Sequence, residues 1–171
     1  PTAIPHSCAG EPGEAGLSIA ISAQAPEANT GALQAPFLFT VTISTTGPTT
    51  GPVAAATVKV YWATGSDPTW PDDIFNRQQG QYLDHQIGDT LLVTNLWPGE
   101  VRTSTLEWTM GSSFDPGTEL VLVATVDSPQ DPVPVAPGGV SIHYSRFDAS
   151  TDNAASLKVA ATSLAIASLS F

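Results

Sequence analysis

Hydrophobic and polar residues alternate with period 2 along most of this chain, the spacing of half-buried β-strands. In "LSIAISA" the residues Leu17, Ile19 and Ile21 share a face. In "APFLFTVTIS" Phe37, Phe39, Val41 and Ile43 point one way, and Leu38, Thr40, Thr42 and Ser44 the other. "ATVKVYWA" places Val58, Val60 and Trp62 inward, with Lys59 and Tyr61 outward. "IGDTLLVTNL" and "VRTSTLEWTM" flank a "WPGE" turn (Trp97 to Glu100), and Leu106, Trp108 and Met110 line one face of the second strand. "ELVLVATV" is apolar or small on both faces, which predicts a central strand covered on both sides. "VSIHYS" follows a Pro-rich stretch, in a hairpin-like "GGVSIHYSRF". The final "ASLKVAATSLAIASLSF" is read as strand, although its Ala and Ser content would also support a short helix.

Between these segments lie Gly/Pro turns such as "TTGPTTGP" and "GSSFDPGT". Residues 1–16, "PTAIPHSCAGEPGEAG", show no periodicity and read as an extended arm. Residues 64–86 form a long loop, of the kind that is functional or packed on itself. About eight strands and no amphipathic helix predict an all-β chain: an immunoglobulin-like antiparallel sandwich of about 7–9 strands. It occupies residues 17–171 as a single domain.

Composition narrows the function. Hydrophobic residues make up 42%, enough for a real core, while charged residues are only 12%. Five basic against sixteen acidic residues give a net charge of -11. Nucleic-acid binding needs Lys and Arg to displace phosphate counterions, so it is excluded, and anionic membrane surfaces are disfavoured likewise. Insertion as a helix is not expected, because no apolar run approaches the ~20 residues of a span. The first residues lack a basic-then-apolar leader. The chain is therefore expected to be a whole gene product, unless cleavage left this form. Cys8 is the lone cysteine, which leaves no internal disulfide and no Cys-rich zinc site.

The order of "ATVKVYWA", "IGD…VTNLWPGEVRTSTLEWTM", "ELVLVATVDSPQDPV" and "DNAAS" resembles CARDB-like immunoglobulin-type domains of bacterial surface and secreted proteins. The resemblance runs from about Phe37 to Val159. Ala154 stands where the family's D-N-N element has its second Asn, the loop after Trp62 is longer, and "GGVSIHYSRF" is additional. The resemblance implies a non-enzymatic role and offers no catalytic residues.

Candidate chemistry starts with Asp127, Asp131, Asp148, Asp152 and Asn153, which could meet at one end of a sandwich. Their hard oxygens suit calcium. Asp-Ser-Pro and Asp-Pro are equally good turn formers, since Asp caps its own backbone and Pro presets φ. We expect the turn, with Asp127, Asp131 and Asp152 as the calcium alternative and otherwise no cofactor. His6, His85 and His143 have no zinc-binding spacing. "TMGSSFD" is not a nucleophile elbow. Nothing pairs two of Asp67, Asp72, Asp73, Asp115, Glu100 and Glu107 as a glycosidase would require.

The aromatics say more. Trp62 and Trp108 fit the core, whereas Trp70, Phe75, Tyr82 and Trp97 fall in or beside loops. There they would pack on the loop, meet a protein, or stack on sugar. The arm and the apolar terminus "SLAIASLSF", ending at Phe171, suit strand exchange or closure of the chain's own sheet. These features together lead to a non-enzymatic structural protein. The expectation is an accessory subunit (decoration or head/tail) of a phage virion or similar assembly, with protein partners that include other copies of itself. The alternative is a secreted or cell-surface adhesion or carbohydrate-binding module.

Overall fold

The computed structural model describes residues 16–24, 30–32, 34–46, 51–70, 85–133, 142–144 and 151–162. The N-terminal arm up to residue 15, Phe75, Tyr82, Asp148 and the segment 163–171 with Phe171 lie outside the described residues.

Seven strands of six or more residues carry the described fold: β1 (Gly16–Ala23), β3 (Pro36–Thr46), β4 (Val53–Thr64), β6 (Leu91–Leu96), β7 (Val101–Thr109), β8 (Glu119–Asp127) and β10 (Ala154–Thr162). Three shorter ones join them: β2 (Thr30–Ala32), β5 (Thr69–Trp70) and β9 (Ile142–His143). One sheet has the order β1-β3-β7 and is antiparallel throughout. The other has the order β2-β10-β8-β4-β6, antiparallel except for β2 beside β10. The two pack face to face as a β-sandwich.

The alternation in β3 is the clearest case of pattern becoming structure. Phe37, Phe39, Val41 and Ile43 are all buried, joined by Leu17 and Ile19 of β1. They meet Val58 and Val60 of β4, Leu120, Leu122, Ala124 and Val126 of β8, and Leu157, Val159 and Ala161 of β10. Burying each such Val, Leu, Ile or Phe side chain stabilises by about 1.5–3 kcal/mol. β8 lies in the middle of its sheet and has apolar side chains buried on both faces, as its composition predicts.

Two expectations need correction. Tyr61 does not face solvent; it is 1% exposed. The outer face of β8 also carries Val121 and Val123, and this apolar surface needs a cover. Val133, Tyr144 and Ala154 pack with these residues as a second, smaller core. The hairpin-like segment expected at "GGVSIHYSRF" lies mostly outside the described residues; its described part, β9, pairs antiparallel with β5 (Thr69↔His143, Trp70↔Ile142). Tyr144 N–H donates to Pro68 O at 3.1 Å, so a segment distant in sequence holds the start of the long loop. That loop is also shorter than 64–86. Thr64 still belongs to β4, and Gln86 has rejoined the sheet as an antiparallel bridge to Tyr61, next to which Ile87 N–H donates to Val60 O at 2.8 Å.

Burial pushes the Tyr61 phenol up to about 12. Its unfolded value is near 10, so the neutral phenol stabilises the fold fully below about pH 10 and progressively less as pH rises to 12. Denaturation midpoints between pH 9 and 12 should show this loss, and Tyr61→Phe should remove part of it. In an ultraviolet phenolate titration one tyrosine should ionise about two units late. A Tyr61→Phe midpoint with the same pH dependence as the parent would contradict this account.

Candidate functional site

Two surface features carry the residues singled out in the sequence: the turn after β8 and the corner between β6 and β7. At the first, Pro129 and Pro132 supply no N–H, which leaves four backbone donors between Ser128 and Val133. All four are used. Ser128 N–H donates to Asp131 O and Asp131 N–H to Ser128 O, both at 3.2 Å. Gln130 N–H reaches Ser128 Oγ at 3.2 Å, and Val133 N–H reaches Asp127 Oδ1 at 2.9 Å. Asp127 therefore closes the loop that its own strand opens.

Asp131 acts over a longer range. Its Oδ2 accepts Leu17 N–H at 2.5 Å, tying the turn to β1 in the opposite sheet. Asp152 does so through its backbone, its carbonyl accepting Ile19 N–H at 2.9 Å. Between them Asn153 is 3% exposed and fully engaged. Its amide donates to Val126 O at 3.3 Å and to Asp131 O at 3.2 Å. Its Oδ1 accepts Thr151 Oγ1–H at 3.2 Å, while its own N–H donates to Thr151 Oγ1 at 3.1 Å. Partial burial, with the Asp131 carboxylate nearby, raises the Asp152 pKa.

The chemistry of this end is polar stitching. Among the described residues no group of three or more His, Cys, Asp or Glu side chains is placed to hold a metal ion. His85 stacks flat on Trp62 (4.1 Å, 7°), and its Nδ1 lies 3.1 Å from Trp62 O. His143 is at the other small sheet, 3.4 Å from Asp67. Trp62 and Trp108 are half-buried against the core and stack at 6.1 Å, with Phe114 edge-on to both.

The second feature is the W-P-G-E corner. Glu100 N–H donates to Trp97 O at 2.9 Å, and Gly99 has φ 77°, the positive angle required at the third position of a type II turn. Glu100 Oε2 accepts Trp97 N–H at 2.9 Å, and its Oε1 accepts Arg102 Nε–H at 2.8 Å. These bonds, led by the one from Arg102, hold the Glu100 carboxyl below its ordinary pKa. Thr45 of β3 clamps the turn from the side. Its hydroxyl donates to Trp97 O at 2.9 Å and accepts Gly99 N–H at 2.8 Å. Yet the Trp97 residue is 59% exposed, beside Val101 at 60%. The sequence flagged Trp97 but missed Thr45, which sits at the end of β3 and not in a turn. Trp70 lies in β5.

Comparison with solved structures places this architecture. The CARDB domain of the PF1109 protein from Pyrococcus furiosus, crystallised in complex with di-metal ions, superposes with a TM-score of 0.52 at 16% identity. The match covers 88% of this chain and 96% of that one. The fold is CARDB-like. A solution NMR structure of the same CARDB domain gives 0.49 at 14% identity, covering 88% of this chain and 97% of that one. A Niemann-Pick type C2 protein from Japanese carpenter ant gives 0.43 at 11%, covering 91% and 96%. No family model matches the sequence, and no curated protein matches it. The CARDB-like chain is thus an immunoglobulin-type sandwich, as its strand pattern predicts.

The stitching makes Asp131 and Asp152 opposite in sign. Asp131→Ala leaves the half-buried Leu17 N–H unsatisfied and should cost about 1–3 kcal/mol in urea denaturation. The folded pKa of Asp152 is raised. Its contribution to stability is therefore greatest at acid pH and is lost as pH rises through that pKa. Asp152→Asn should raise Tm at pH 7 by up to about 2 °C, a gain that fades at acid pH. A lowered Tm at pH 7 would count against this assignment.

Proposed function

We propose that this CARDB-like chain is a non-catalytic interaction domain, an accessory subunit that attaches to a larger protein assembly such as a bacteriophage virion. The observation that carries the reading is the β6–β7 corner. Four large apolar residues are exposed among the described ones, and two of them, Trp97 and Val101, sit together at this corner, Trp97 in the turn after β6 and Val101 at the start of β7. The turn that holds Trp97 is already ordered by Glu100 and Thr45, so docking the ring costs little conformational entropy. Exposed tryptophan held in advance is the usual form of an interface anchor.

A second reading, a secreted or cell-surface adhesion or carbohydrate-binding module, draws on the same ring, because an exposed indole face also stacks on sugars. The partner separates the two. Trp97→Ala should weaken rebinding to purified particles carrying this chain by about 30-fold, read by co-sedimentation. If particles bind both forms equally and Trp97→Ala instead abolishes glycan-array binding, the adhesion module stands in place of the virion subunit.

The di-metal complex of the PF1109 domain raises the same question for this chain. Asp127, Asp131 and Asp152 are the candidates, and we read them as serving the backbone. Tm should be unchanged by EDTA and by millimolar calcium; a calcium-dependent rise of several degrees would make the turn an ion site.

A further inference from the structure

Sheet edges are hazards that folds blunt by shortening, kinking or covering them. Among the described residues β1, β2, β6 and β7 end the two larger sheets, and three of them are blunted. β2 has only three residues. β6 is kinked at Asn95, whose φ of 53° departs from the extended run. On β1 the outward N–H groups of Leu17 and Ile19 are taken by Asp131 and Asp152.

β7 carries none of these devices among the described residues, where it pairs with β3 alone. It runs nine residues, Val101–Thr109, without Pro, Gly or Lys. Its register with β3 is unbroken from Pro36↔Thr109 to Ser44↔Val101. Val101, Thr103, Thr105, Glu107 and Thr109 are exposed, and the core-facing Leu106 and Trp108 are only half-buried. Trp108 stays so although Trp62 stacks on it and Phe114 meets it edge-on.

Hydrogen-bond alternation shows which groups β7 turns away from β3. Leu17 and Ile19 direct their N–H away from β3, so their register partners Thr45 and Ile43 direct theirs away from β1, toward β7. Ile43 pairs with Arg102 and Val41 with Ser104, so these β7 residues bond inward. Val101, Thr103, Thr105, Glu107 and Thr109, one step out of phase, turn their N–H and C=O outward.

We propose that β7 pairs with β7 of a second copy of the chain, antiparallel about a two-fold axis at Thr105. The inference rests on the reading of the chain as an interaction protein and names one contact. A two-fold axis makes each strand meet itself reversed. Thr105 then faces Thr105 of the second copy, Thr103 faces Glu107, and Val101 faces Thr109. Because β7 has nine residues, an odd number, complete overlap sets outward residues only against outward ones, as an antiparallel ladder requires. The inward residues become its non-hydrogen-bonded pairs, about 4.5 Å apart at Cα. Ser104 thus lies opposite Leu106, and Arg102 opposite Trp108. The guanidinium covers the half-buried indole as a cation–π pair, made twice by symmetry. Arg102 Nε is already held by Glu100 Oε1 at 2.8 Å, which orders the side chain before docking. Like charges stay apart, since the two Glu107 residues lie about 14 Å from each other, beyond the Debye length of about 8 Å. With Arg102 and Glu107 its only charges, β7 is neutral on a chain whose net charge of -11 opposes self-association elsewhere.

Sedimentation velocity on the full chain tests this. The parent should form a reversible dimer, tighter at about 0.5 M than at about 0.05 M NaCl as repulsion between the acidic chains is screened. Thr105 is exposed, so Thr105→Asp and Thr105→Lys should each fold with an unchanged circular dichroism spectrum. Each alone sets like charges opposite one another at the axis and should weaken the dimer about fivefold or more. An equimolar mixture should recover a heterodimer at least as tight as the parent dimer, since opposite charges then meet at the axis. A parent that is monomeric at every concentration, variants that associate like the parent, or a mixture that fails to recover overturns the proposal. Particle rebinding is read at Trp97, so its survival without a dimer leaves the broader function intact. A dimer that persists without particle binding leaves this contact intact, and the two failures are told apart.

Discussion

The fold depends on how an open sheet edge is tied to the opposite sheet. β1 is an edge strand and must place its outward N–H groups somewhere. It gives Leu17 N–H to the carboxylate of Asp131 and Ile19 N–H to the carbonyl of Asp152. Both acceptors belong to chain that has just left β8 or is about to enter β10, so two bonds bridge the layers where hydrophobic packing ends. Asn153 makes the junction rigid by joining Val126 O and Asp131 O through one buried amide. A charge placed there for solubility alone would not need such a bed.

The same junction shows what can be read from sequence and what cannot. Asp127-Ser128-Pro129-Gln130-Asp131-Pro132 is legible as a turn, because Asp and Pro impose local geometry wherever they occur. That Asp131 serves Leu17, 114 positions earlier, is not legible, since no local rule encodes a partner in another layer. β3 is legible for the opposite reason: a two-faced strand announces its burial by alternation. Tyr61 defeats that rule, because "outward" means solvent only where nothing covers the outer face. Its cover comes from Val133 and Tyr144, which no periodicity connects to it.

For the candidate site the limit is one of exposure. Trp62, Trp97 and Trp108 are alike in composition and differ in surroundings. The first two stand near strand ends, yet Trp62 lies beneath the His85 ring while Trp97 projects from a turn. Strand phase places Trp62 and Trp108 on the core side. Thr45 decides the fate of Trp97, by holding its carbonyl and leaving the ring outside. Thr45 lies beside a Gly/Pro run and reads as loop, so the determinant of the anchor was hidden in a stretch that looked structureless.

The sandwich is finished differently at its two ends. At the aspartate end, hydrogen bonds across the layers take up two outward N–H groups of β1, those of Leu17 and Ile19. At the other end, Trp62, His85, Trp108 and Phe114 fill the gap between β4 and β7 with rings, which supply dispersion and apolar cover, the His85 ring also meeting the Trp62 carbonyl. Aromatic cover can seal a core; it cannot satisfy the N–H and C=O groups of an edge strand. The three-stranded sheet is the narrower, and its outermost strand is the one beside this aromatic seal. The half-coverage of Leu106 and Trp108 follows from this geometry: among the described residues, the smaller sheet ends a strand too early for the core it faces.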